Sequence, residues 1–248
     1  MDLPRSFVVR ERDHRIHDPF TPEKLDTLGD AIRLRPGMSV LDLACGSGEM
    51  LCRWSRDHGI IGTGVDISTV FLAAARSRAA ELTVADRVTF THGDASGHVA
   101  AEPVDVAACV GATWIGDGVE GTINLLERSL RPGGLILIGE PFWRLDPPDQ
   151  EAVVGSGAGS RDDFEDLPGL VESFGRLGWD LVEMVLADED SWDRYVAAQW
   201  FTVRAWLDEN PDDESAVSFR AELDAAPVNY VRYQRRHLGW GVFVLKRR

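Results

Sequence analysis

The sequence predicts an α/β fold, a Rossmann-like, mostly parallel sheet of seven strands with helices on both faces. Apolar runs at 38–44, 60–66, 87–92, 104–110 and 134–140 alternate with helical segments near 48–58, 68–82 and 119–130. Strands that are apolar on both sides belong in a sheet covered on both faces, with the intervening helices as crossovers. The first run, through Leu41-Asp42-Leu43, passes directly into Cys45-Gly46-Ser47-Gly48 and a helix, and the second ends on Asp66. A glycine turn at one strand end beside a carboxylate at the next is the layout of a crevice that holds a nucleoside-bearing ligand.

The elements follow in chain order. Residues 1–20 are charged, with scattered apolar positions and no clear period. Thr21-Pro22-Glu23 opens the first predicted helix, with Thr21 as N-cap and Pro22 at the first helical position; Leu25, Leu28, Ile32 and Leu34 give its buried face and Pro36-Gly37 stops it. The five apolar runs and three helical segments then alternate in a βαβ pattern. Pro132-Gly133-Gly134 is a tight turn into Leu135-Ile136-Leu137-Ile138, and residues 144–166 read as loop. Leu167 to Leu177 reads as a helix, Trp179 to Ala187 as the sixth strand and Gly239 to Lys246 as the seventh. The stretch 188–238 is too long for a hairpin loop. Val196, Trp200, Val203 and Leu207 give it a helical stripe, flanked by Trp192, Tyr195 and Trp206. The expected organisation is therefore an N-terminal lid and helix over 1–36, a ligand-binding core of 37–187 plus 239–248, and a helical cap inserted at 188–238.

Composition narrows the partners. The 248 residues suit one sizeable domain, and a 44% hydrophobic share suffices for a proper core. With 26 basic against 41 acidic residues, the net charge of −15 argues against a phosphate-tracking surface, so no nucleic-acid partner is expected. Cys45, Cys52 and Cys109 form neither a paired framework nor a metal-binding spacing. His14 and His17 stand three apart, but no third ligand joins them, and no metal is expected. The first residues lack an apolar signal core and no run is long enough for a membrane span, so a cytoplasmic location and no membrane partner are expected.

What the glycine loop lacks identifies its ligand. A pyrophosphate-reading fingerprint needs a third glycine three residues after the second. That position is Leu51. The run Asp42-x-Ala44-x-Gly46-x-Gly48 instead resembles motif I of class I S-adenosylmethionine-dependent methyltransferases, acidic-x-Gly-x-Gly-x-Gly. Ala44 replaces the first glycine and is expected to keep an ordinary strand conformation. Arg131-Pro132-Gly133-Gly134 resembles the turn before the fifth strand of that fold. The resemblance implies S-adenosylmethionine as cofactor, S-adenosylhomocysteine as product, and an antiparallel pair of final strands. It implies that Asp42, Ala44, Gly46 and Gly48 shape the methionine pocket, Asp66 accepts the ribose hydroxyls, Ile67 packs on adenine, and Asp94 with Ala95 lies at the adenine amine. Asp66 and Asp94 have plain alternatives as helix N-caps. Cys109 ends the fourth strand, whose tip should face both sulfonium and acceptor; it joins the expected cofactor contacts, with a buried strand residue as the alternative. The Asp/Asn-Pro-Pro-aromatic and Pro-Cys motifs of nucleic-acid methyltransferases are absent from that tip.

Methyl transfer from a sulfonium is an in-line displacement, in which a protein has mainly to align the acceptor and exclude water. A base is needed only where the acceptor carries a proton to lose. Glu140, in Gly139-Glu140-Pro141-Phe142-Trp143, stands near the end of the fifth strand, where a desolvated carboxylate would suit proton removal, bind a cation or pair with an arginine. His14-Arg15-Ile16-His17-Asp18-Pro19-Phe20 resembles a His-Arg-Ile-His-Asn-Pro-Phe segment ahead of the first helix in a bacterial branch of small-molecule methyltransferases, a likeness that extends to Trp192-Asp193-Arg194-Tyr195. His17 is a second candidate base. His14, Arg15, Phe20, Trp114, Trp143, Trp192, Tyr195 and Trp200 are the expected acceptor contacts. The reading is a monomeric or homodimeric methyltransferase acting on a small, partly apolar metabolite. Two alternatives stay open: a noncatalytic S-adenosylmethionine-binding protein and an NAD(P)-dependent oxidoreductase.

Overall fold

A computed structural model describes residues 3–248. In chain order the elements are α1 (Arg5–Glu11), α2 (Pro22–Ala31), β1 (Ser39–Leu43), α3 (Glu49–His58), β2 (Ile61–Asp66), α4 (Thr69–Glu81), β3 (Val88–His92), β4 (Val104–Val110), α5 (Val119–Glu127) and β5 (Leu130–Trp143). They continue with α6 (Gln150–Gly155), α7 (Leu167–Arg176), β6 (Trp179–Leu186), α8 (Glu189–Glu209), α9 (Ala216–Asn229), α10 (Arg235–His237) and β7 (Leu238–Arg247). The strands form one seven-stranded sheet in the order β3-β2-β1-β4-β5-β7-β6. The first five run parallel, and β7 is antiparallel to both β5 and β6.

Local chemistry sets the boundaries. The Thr21 hydroxyl accepts from Lys24 N at 3.3 Å and Pro22 fills the first turn of α2, as the sequence predicts. Ser68 caps α4 in the same way. Each sheet face carries its own core. Val40, Val106, Ala108 and Leu137 point to the face covered by Leu28, Leu51, Trp54 and Leu72 of α2, α3 and α4. Leu41, Leu43, Ala107, Cys109 and Ile138 point to the other, under Ile123, Leu126, Leu170 and Phe174 of α5 and α7.

Three elements depart from expectation. Within the charged N-terminus Arg5–Glu11 is helical, because Val9 packs with Val203, Trp206, Leu207 and Phe219 into a satellite core shared with α8 and α9. The stretch 144–166 contains α6, whose first turn is capped by Asp149 accepting from Ala152 N at 2.9 Å. β5 runs on to Trp143 because β7 pairs with it through Leu238. The inserted segment is helical, and Pro227 inside α9 precedes a π-helical turn over Tyr230–Gln234. Proline removes one backbone donor from the helical ladder, and a changed hydrogen-bond period after it accommodates the loss. Among the described residues no helix is long and apolar enough to cross a membrane, and no group of three or more His, Cys, Asp or Glu is placed to hold a metal ion.

Candidate functional site

The parallel sheet leaves a cavity at the carboxyl end of β1, lined by Asp42, Ala44, Gly46, Ser47, Val110 and, from the N-terminal segment, residues Arg15–Asp18. Its floor is the loop out of β1. Gly46 and Gly48 have φ of +52° and +67°, and a Cβ on Gly48 would stand 2.6 Å from the Phe90 ring. Both conformation and space therefore demand glycine at position 48. Ala44 also has a positive φ, +60°. This corrects the expected strand conformation: the residue occupies a left-handed geometry that disfavours a Cβ by about 1 kcal/mol. Ala44→Gly is accordingly expected to raise stability by up to about 1 kcal/mol, less the extra chain entropy of glycine. A denaturant midpoint that falls would contradict this account.

Asp66 ends β2 only 5% exposed. One carboxylate oxygen accepts from Gly46 N at 2.8 Å and the other from Ser68 N at 2.7 Å. It therefore pins the glycine loop to the start of α4, and each oxygen retains a lone pair for a ligand hydroxyl. Asp42 is 4% exposed, and its Oδ1 has no hydrogen-bond partner among the described residues. Burial, with the charges of Asp66 and Asp18 nearby, pushes its carboxyl well above the usual carboxylate range. An orphaned buried acceptor in a cavity fits a donor or cation on a ligand, as the ammonium of an amino-acid moiety would supply.

The N-terminal segment covers this floor. His17 Nε2 lies 3.0 Å from Ser47 Oγ, its ring stands 4.3 Å from the Phe71 ring, and a Cβ on Gly46 would meet the imidazole at 2.8 Å. Burial lowers the His17 pKa, so the ring is neutral near pH 7. His17 thus clips the segment to the glycine loop. Its backbone carbonyl accepts from Tyr195 Oη at 2.9 Å, which ties the clip to α8. Beneath it Glu11, 1% exposed, accepts from Gln199 Nε2 at 2.6 Å and lies 3.2 Å from His14 Nδ1. Burial opposes the Glu11 charge, but its contacts with His14 outweigh that and hold the carboxyl below its ordinary value.

Other expected residues fall elsewhere. Strand alternation puts Glu140 on the opposite sheet face from Asp42. It lines a different cavity, with Val119, Pro141 and Leu170, and accepts from Thr113 Oγ1 at 2.7 Å. The structure therefore does not bring it to the glycine loop. Cys109 is fully buried in the α5/α7-side core, where burial pushes its thiol far up; Val110, the next residue, lines the cavity instead. Asp94 is exposed and caps a short turn by accepting from Ser96 N at 2.9 Å, while Ala95 is buried beside it. Ile67 is partly buried, with its carbonyl 2.9 Å from His92 Nε2.

The aromatic residues spread over three places. Phe20 is buried edge-on against Trp240 with ring centroids 5.2 Å apart, and Trp192 packs beside them with its indole N–H buried and unpartnered. Trp143 is buried and donates to Arg161 O at 2.8 Å, in a satellite cluster away from the glycine loop. Trp200 lines a separate pocket between α8, α9 and Arg10. Trp114 is 66% exposed at the tip of β4. Arg15 reaches outward to Glu81 at 3.0 Å, and the His14 ring lies 5.3 Å from that of Tyr195. Sequence reasoning passed over Asp18, Ser47 and Glu11. Asp18 lies within residues 14–20, just before Pro19, and nothing local marks a short polar residue there as cavity-lining.

Comparison with known proteins accords with this geometry. Residues 40–134 match the family model described as a methyltransferase domain. The chain is similar to a Geobacter sulfurreducens SAM-dependent methyltransferase crystallised with S-adenosylhomocysteine, at 64% identity and a TM-score of 0.98, covering 100% of this chain and 99% of that one. It is 58% identical over 245 residues to an uncharacterized Escherichia coli protein, YjhP, covering 99% of each. It is 30% identical over 138 residues to a 27-O-demethylrifamycin SV methyltransferase of Amycolatopsis mediterranei, covering 53% of this chain and 49% of that protein.

Proposed function

The chain belongs to the class I S-adenosylmethionine-dependent methyltransferases, and we propose that it transfers the methyl group to a small, partly apolar metabolite bound beneath α8 and the N-terminal segment. The observation that carries this reading is the closure of the glycine-loop cavity by residues of two elements, His17 against Ser47 and Tyr195 against the His17 carbonyl. A folded protein or duplex acceptor needs an open groove. Here residues 15–18 lie over the glycine loop, and the chain as a whole carries a net charge of −15.

When bound, the cofactor supplies an electrophilic methyl group on a positively charged sulfur that is already a good leaving group. The chain's own residues then have to bind, orient and exclude water. Asp42 offers an unpartnered buried oxygen to the ammonium end, and Asp66 offers its remaining lone pairs to the ribose. Phe20, Trp240 and Trp192 pack together in the core on the same sheet face, an apolar cluster available to the acceptor side. His17 Nε2 is engaged with Ser47 Oγ at 3.0 Å and burial keeps the ring neutral, which supports the role of a clip rather than a proton acceptor. Alignment and water exclusion then carry the rate without a dedicated base, which suits an acceptor that presents a free lone pair.

Labelled S-adenosylmethionine incubated with the protein and fractionated cell extract tests the reading. We expect label in the fraction of small metabolites, with S-adenosylhomocysteine formed in step. Label confined to protein or nucleic acid would refute the acceptor class. Tight cofactor binding with no product in any fraction would favour a noncatalytic binder.

A further inference from the structure

The cavity floor holds more negative charge than its ordinary partners explain. Asp18 lines it from the N-terminal segment and Asp42 from β1, while Asp66 of β2 stands behind the loop, accepting from Gly46 N. Asp66 is matched by two backbone donors, whereas Asp42 Oδ1 is buried without any. Asp18 gives one oxygen to its own turn, accepting from Phe20 N at 3.0 Å. Among the described residues no donor is paired with its second oxygen. Its Cβ lies 3.9 Å from where a Cβ on Gly111 would stand, which puts the carboxyl beside the tip of β4.

We propose that Asp18 is the residue that recognises the sulfonium charge, taking up the cationic donor with release of a proton and thereby favouring it over the uncharged-sulfur product. This inference rests on the methyltransferase reading and assigns a position that reading left without a role. The groups around Asp18 support it. Burial first, and the Glu11 charge, push its carboxyl up to about 8. Asp42 and Tyr195 feel its charge as well, and both are themselves pushed up. Of the remaining groups at the cavity, Glu49 is closed by Arg78 at 2.7 Å, Arg15 is turned to Glu81, and His17 is kept neutral by burial. The Cys45 thiol is held protonated by burial. Among the described residues no fixed cation at the floor thus answers these carboxyls, and a proton stands in for one until a cationic ligand arrives. The ammonium end is common to cofactor and product, so a difference between the two isolates the sulfur.

Calorimetric titration of the full chain with S-adenosylmethionine and with S-adenosylhomocysteine, in buffers of different ionisation enthalpy, reads the proton directly. We expect a substantial fraction of a proton released on binding the former at pH 7, less with the latter, and an affinity for the former that rises with pH between 6 and 8. In Asp18→Asn, which keeps an oxygen for Phe20 N, this excess proton release is expected to vanish and the preference for the charged ligand to fall by roughly tenfold. Equal proton release with both ligands in the unmodified protein overturns the proposal while leaving the methyltransferase reading intact, and needs no variant to fold. An unchanged preference in a folded Asp18→Asn also overturns it. Failure of the unmodified protein to bind either ligand overturns both.

Discussion

Replacing Asp66 by alanine is expected to weaken cofactor binding by about 1–3 kcal/mol, roughly tenfold to a hundredfold, and to destabilise the fold as well. The two effects have one origin. The carboxylate accepts from Gly46 N and Ser68 N, joining the loop after β1 to the helix after β2. Alanine leaves both donors in a site where Asp66 itself is only 5% exposed. An unmet buried donor costs about 1–3 kcal/mol, so two imply a stability loss of about 2–4 kcal/mol, allowing for partial relaxation. The loop would also lose the restraint that holds Gly46 in its left-handed conformation. Asp66→Asn sharpens the test, because its amide oxygen can accept one of the two donors while its NH2 faces the other. An intermediate stability and an affinity loss no larger than that of the alanine variant are expected for it. Urea midpoints and calorimetric titration with S-adenosylhomocysteine measure the two quantities. Affinity unchanged in Asp66→Ala would remove the residue from the site.

The sheet was legible in the sequence because its signals are local. Apolar runs and the Gly46/Gly48 turn need no knowledge of distant residues, and Leu51 in place of a third glycine already spoke against a pyrophosphate. Ala44 was harder to read: its φ of +60° is imposed by the loop around it, against the preference of the residue. Side-chain direction failed at two places for one reason. Glu140 and Cys109 were judged by their nearness to strand ends, but period-two alternation sends both to the α5/α7 side, away from Asp42. Val110, an unremarkable residue one step on, faces the cavity. An N-terminal lid is expected from the sequence, but its helix Arg5–Glu11 is not, because that order comes from partners far along the chain. Glu11 Oε1 accepts from Tyr195 and Gln199, more than 180 residues away, and Val9 packs into the core of α8 and α9. No window of the sequence contains both halves of such a contact.

Glu140→Gln is expected to stabilise the protein above neutral pH while leaving cofactor affinity unchanged. The side chain is 8% exposed, and burial pushes its carboxyl from 4.5 up to about 7, against the opposing hydrogen bond from Thr113. A carboxyl whose folded pKa is raised is neutral in the fold at low pH, where it has no ionic penalty. As pH climbs from the unfolded value toward 7, the unfolded chain ionises freely and the folded one does not. The contribution of Glu140 to stability therefore falls across that window and is constant above it. A shift of this size corresponds to about 3 kcal/mol as an upper bound. Glutamine keeps an oxygen for the Thr113 hydroxyl and has no charge to bury, so it escapes the penalty. The variant and the unmodified protein should unfold at similar temperatures near pH 4.5 and diverge by pH 8. At roughly 2–4 °C per kcal/mol for a domain of this size, the separation reaches several degrees. Subtracting one profile from the other cancels the parallel effect of Asp18, which titrates on the other side of the sheet. Parallel profiles across the whole range would mean that Glu140 is ionised in the fold. The cavity it shares with Asp117, Glu120 and Arg176 would then have to supply a cation that holds its charge.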